Sequence, residues 1–207
     1  MNLNRKILIS FFAALLAVGA GLAIWFILKS NAYDAPVREI SLKIDALAQA
    51  ELAPGTTLEE LERRSSLLEQ ELVSVASKIP AGQDETIVKA YFDAALNYVT
   101  MLNRWLNALN RQSFASEQIK NPQKFTDSCT SYGTAISMGL CLTNASSEME
   151  NAFKNFKVLT AEYENSLKEK QSAMLALATA RHEANTVVTQ KSIADMPNFD
   201  RLLSKFN

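Results

Sequence analysis

Residues 7–28, from Ile7 to Leu28, are apolar or small throughout and carry no charge. As a helix they span about 33 Å, close to the roughly 30 Å of bilayer hydrocarbon. No other stretch of the chain is as long and as apolar. Beyond residue 36 the pattern changes to one apolar position every three or four residues, the period of a helix with a single buried stripe. Val37, Ile40, Ile44 and Leu47 form a first stripe, which Ala53-Pro54-Gly55-Thr56 interrupts. Thr57 and Glu60 stand at the spacing of a capping box. After them Leu58, Leu61, Ser65, Leu68, Leu72, Val75 and Ile79 repeat as heptads until Pro80-Ala81-Gly82.

A further helix is predicted from Glu85, with the seam Val88, Tyr91, Ala95, Tyr98, Leu102, Trp105, Leu109. Two heptad helices joined by a short loop predict an antiparallel hairpin. A last long helix is predicted from Ser147, whose capping-box partner is Glu150, to about Ile193. Its apolar positions are Phe153, Phe156, Leu159, Tyr163, Leu167, Met174, Leu177, Ala184 and Val188. Ser166 to Ser172 is its least apolar part and a candidate bend. Pro197 ends it, and Asn198 caps a short final helix, Phe199 to Phe206. The fold class is therefore all-α: a single N-terminal transmembrane helix, then an antiparallel helical bundle with coiled-coil-like seams and a disulfide-closed loop. The divisions are 1–30 for the cytoplasmic start and anchor, 31–36 for a linker, and 37–207 for the bundle, with a Cys-containing loop over 120–146.

Flanking charge orients the anchor. Arg5 and Lys6 precede it, Lys29 alone follows closely, and Trp25 sits near its outer end. The basic bias puts the N-terminus in the cytoplasm and the bulk of the chain outside, in a periplasmic or extracellular space. The rival reading is a cleaved signal peptide, whose apolar core usually runs about 7–15 residues; Ser30-Asn31-Ala32 is a passable small-x-small cleavage site. Ala13, Ala17 and Gly21 recur four apart, a spacing that lets membrane helices approach closely.

The two cysteines gain meaning from that location. Cys129 and Cys141 lie in a stretch, Thr126 to Asn144, rich in serine and threonine. Ile136, Met138, Leu140 and Leu142 alternate there with small or polar residues, the period of a strand. One continuous helix would hold the cysteines about 18 Å apart, too far to bond. A loop lets them meet, and an oxidising compartment favours a disulfide.

Charge and motifs exclude several function classes. Three of the 21 basic residues precede Asp34, the first acidic one, leaving 18 against 22 and a net of −4 beyond the anchor. That balance argues against nucleic acid, which needs a basic face. His182 is the only histidine and has no second histidine at metalloprotease spacing. No phosphate-cradling glycine loop or nucleophile elbow occurs. Glu59-Glu60 and Glu69-Glu71, near Arg63 and Arg64, read as solvated helix faces rather than a catalytic dyad. No enzyme activity, metal or cofactor is expected. Tyr91, Trp105 and Phe156 are the candidates for a pocket between helices, although aromatic residues at helical spacing are ordinarily core.

A membrane helix followed by an all-helical outer bundle is similar to the sensing domains of bacterial chemoreceptors, which return through a second membrane helix; one apolar run of that length is present here. The tail with Arg181, Asn185, Val188 and Pro197 resembles LemA-type membrane-anchored helical proteins over a small part of the chain. It lacks that family's paired-arginine Leu-Ile-Pro-Asn segment, since Arg63-Arg64 continues as Ser-Ser-Leu-Leu. The expected function is that of a non-enzymatic envelope protein of the bacterial inner membrane that binds another protein, or itself, as a scaffold or assembly factor. The alternative is a small-ligand-binding or sensing bundle that signals through a membrane partner.

Overall fold

The computed structural model describes residues 33–79, 81–82, 84–131, 133–188 and 195–206. The predicted anchor, including Ile7, Trp25 and Leu28, lies outside them. Among the described residues no helix is long and apolar enough to cross a membrane, and secondary structure is entirely helical. The elements are α1 (33–52), α2 (Leu58–Ala76), α3 (Glu85–Lys120), α4 (Gln123–Thr126), a 3-10 turn (Asp127–Ser131), α5 (Ala135–Val187) and α6 (Pro197–Leu203).

The pairing is antiparallel from α2 to α3 and from α3 to α5. On the first contact Ser65 reaches Asn103 and Glu69 reaches Thr100. On the second Arg104 faces Glu169 and Arg111 faces Glu162. Ser41 on α1 bonds Tyr91 on α3, and Lys43 bonds Glu71 on α2. The four helices form an up-down bundle over about half of the molecule, here termed the base. Its core joins Val37, Ile40, Ile44 and Leu47 of α1 to Leu61, Leu68 and Leu72 of α2, runs along α3 as far as Leu106, and takes in α5 from Ala173 onward. Each of these large side chains contributes roughly 1.5–3 kcal/mol by leaving water.

Beyond the base, among the described residues, α3 and α5 continue, paired with each other, with α4 and the 3-10 turn at their tip. This arm uses the seam Ala145, Met149, Ala152, Phe156, Leu159, Tyr163 and Ser166, whose alternating spacings of four and three are those of a coiled coil. The 53 residues of α5 make it about 80 Å long. Tyr33, at the start of α1, lies close enough to Asp84 and Glu85 that their charge helps raise its pKa, after burial. The chain therefore enters the base at the end opposite the tip of the arm.

Several expectations are corrected. The strand expected over Ile136–Leu142 is the first two turns of α5, so the 120–146 loop is mostly helical. Thr134 starts that helix by accepting the Ser137 amide at 3.3 Å; Ser147 and Glu150 are mid-helix. The alternation misled because, among the described residues, only the short α4–turn segment packs on these turns and Ile136, Met138, Leu140 and Leu142 stay exposed, so burial imposes no 3.6-residue period on them. Ser166–Ser172 remains helical, and α5 ends at Val187 rather than near Ile193. Residues 33–36, expected as linker, are already helical. The Thr57 capping box is half formed. Thr57 accepts the Glu60 amide at 3.2 Å, while the Glu60 carboxylate binds Arg63 and Arg64. Pro197 opens α6, and Asp45 rather than Asn198 caps it: Asn198 and Phe199 donate their backbone amides to Asp45 Oδ1 at 2.8 and 3.0 Å. Gly55, in the α1–α2 turn, has φ 98°, where a side chain would be strained.

Candidate functional site

Two places concentrate chemistry. The first is the tip of the arm. Cys129 on the 3-10 turn and Cys141 on α5 form a disulfide with Cα atoms 5.5 Å apart. The pairing holds even though Cys141 is helical, because only one of the two cysteines lies on α5 and the chain folds back before it. The bond ties the α4–turn segment to α5, with Cys129 buried. Beside it is an open groove lined by Phe125, Ser137, Leu140, Cys141, Asn144, Ala145 and Glu148. Ile136 is 79% exposed and Leu140 65%, with Met138 and Leu142 also exposed.

The second place is in the base, where α1, α3 and α5 meet. Lys170, predicted only as part of a polar stretch, is fully buried. Its ammonium pairs with Glu51 and lies 4.0 Å from the centre of the Trp105 ring and 5.6 Å from that of Phe206. Burial holds the Lys170 pKa below its ordinary value, against the opposing pull of Glu51. Burial and then the Glu51 charge push Tyr98 far upward. Glu51 Oε2, Tyr98 Oη and Trp105 Nε1 are buried without a hydrogen-bond partner among the described residues. Such clusters occur at functional sites and in structural networks alike. Nζ is fully buried beside Glu51, Trp105 and Phe206, with no open path to it among the described residues.

The predicted pocket residues are not brought together. Tyr91 is buried near the start of α3, bonded to Ser41 at 2.7 Å, and burial raises its pKa to about 12. Trp105 stands fourteen residues further along, about 21 Å, beside Tyr163 at 6.4 Å. Phe156 is half-buried on the arm. His182 is exposed. Among the described residues no group of three metal-ligating side chains converges. Sequence reasoning missed the Glu51–Lys170 pair. Its one available signal was that Lys170 occupies a seam position of the α5 heptads, four residues after Ser166.

No family model matches the chain, and no curated protein and no solved structure matches it.

Proposed function

We propose that this chain is a non-enzymatic envelope protein, anchored in a bacterial inner membrane by residues 7–28, whose outer helical bundle binds another protein as a scaffold or assembly factor. The observation that carries this reading is the arm. It extends well past the large core of the base, and its flanks expose Phe114 (64%), Val158 (57%) and Phe153 among charged neighbours. Isolated apolar side chains in a polar surround suit a protein contact of ordinary interface composition. The Cys129–Cys141 bond is consistent with an oxidising compartment. The test is photo-crosslinking in native membranes from positions 114, 153 and 158. A discrete protein adduct shared by these positions supports the reading; its absence, together with no self-adduct, counts against it.

The sensing alternative draws support from the unpartnered polar atoms around Lys170. A screened small molecule that raises the melting temperature of the full chain, but not that of Lys170→Met, would move the reading there.

A further inference from the structure

We propose that the tip of the arm inserts into a lipid bilayer. From Ser128 to Ser147 the chain has no Asp, Glu, Lys or Arg. Within that window α5 starts as Ala-Ile-Ser-Met-Gly-Leu-Cys-Leu. Side chains two apart on a helix point about 200° from each other. Ile136 and Leu140 therefore stand on one side of α5, and Met138 and Leu142 on the other; all four are exposed. A docked protein covers one face of a helix, whereas these four side chains point to both sides. A helix end with exposed apolar side chains on two opposite sides suits a medium that surrounds it.

Charge follows the depth such insertion requires. Lys124 and Asp127 precede Cys129 in the chain, and Glu148 follows about three turns after Ile136 on α5. The uncharged stretch of α5 runs thirteen residues from Ala135 to Ser147, about 20 Å. An insertion of roughly 5–10 Å, the depth to which interfacial helices bury their apolar faces, stays within that stretch. Charges of both signs behind it then lie at headgroup depth, and no charge enters hydrocarbon. The disulfide ties the start of α5 to the 3-10 turn before insertion. The inference is independent of the protein-partner reading, which uses the flanks of the arm.

The experiment uses the full chain, disulfide intact, in proteoliposomes of equal phosphatidylethanolamine and phosphatidylglycerol. A benzophenone side chain is placed at position 136 or 140, with position 175, exposed on the base, as control. A second vesicle population carries deuterated lipid. Irradiation is expected to give lipid adducts at 136 and 140 about tenfold above those at 175. Protonated adducts indicate insertion into the chain's own bilayer, deuterated ones a bridge to a second. Ile136→Glu with Leu140→Glu is expected to abolish lipid adducts from position 142 while circular dichroism and the disulfide stay unchanged. Equal yields at 136 and 175, or adducts only to a second protein chain, overturn the proposal.

Discussion

The base and the arm share two helices, α3 and α5, yet treat the same residue types oppositely. On α3, Phe92 is 1% exposed and Phe114 64%. On α5, Leu177 is buried and Leu140 is 65% exposed. In the base each helix meets α1, α2 or α6 as well as its partner, so most apolar positions find cover. In the arm, among the described residues, the two helices meet only each other and the short α4–turn segment, and a two-helix seam covers one narrow stripe. The number of neighbours, more than the pattern, decides which apolar residue is core. The base spends this surplus of cover on a buried Lys170; the arm is left with apolar side chains facing outward.

The sharpest way to break this comparison is to remove the charge from the base. Lys170→Met strands the Glu51 carboxylate in the interior and is expected to lower unfolding stability by about 3–5 kcal/mol. Adding Glu51→Gln should restore most of it. A loss below about 1 kcal/mol in denaturant titration of the full chain would mean that the pair is not desolvated. The pH dependence carries a sign. Folding depresses the Lys170 pKa below 10.5, so the folded state penalises the ammonium form. The penalty is complete below the folded value and fades as pH rises from there towards 10.5. Wild-type stability should therefore gain from this group on the alkaline side, and Lys170→Met should flatten the gain.

A matched pair of truncations comes next. Leu102→Ala, fully buried in the base, is expected to cost about 2–5 kcal/mol. Leu140→Ala at the tip should stay within about 0.5 kcal/mol. Similar costs at the two sites would overturn the division into base and arm. Replacing both Cys129 and Cys141 by Ser removes a loop constraint worth about 3 kcal/mol in the chain-entropy model. Hydrogen exchange should show the loss over residues 123–145, with amides of α1 and α2 unaffected. Thr57→Ala removes the cap of α2 and should cost about 1 kcal/mol, read from the thermal midpoint.

The smallest effect concerns Glu60. Its hydrogen bonds to Arg63 and Arg64 hold its pKa down to about 2. Whatever it contributes is present above the ordinary carboxylate value and is lost as pH falls through about 2. An NMR titration of its side-chain carbonyl should find that midpoint; a value near 4.5 would show the two ion pairs to be absent in solution.

The heptads of α2 and of the first half of α3 were legible because these stretches sit in the base, where burial follows the seam: Leu61, Ser65, Leu68 and Leu72, then Val88, Tyr91, Ala95, Tyr98 and Leu102 are all buried. Asp45 as the cap of α6 was not legible, since a carboxylate more than 150 positions away leaves no local signal. The start of α5 was misread because its exposed turns obey no packing period. The disulfide was legible from the even cysteine count and an expected oxidising compartment; its geometry was not. The pocket proposed from Tyr91, Trp105 and Phe156 failed because all three are seam residues, and a seam strings its members along the axis.

By itself the sequence determined the helical class, the uncharged run at residues 7–28, the breaks at Pro54 and Pro80, and a cysteine pair. Period, capping and proline act within a few residues, so they can be read locally. Only the tertiary structure decided that α1 and α2 stop halfway, that a lysine sits in the core beneath Trp105, and that a charge-free helix end projects from the arm. Those outcomes depend on which helices lie side by side, and hence on contacts between residues far apart in the chain.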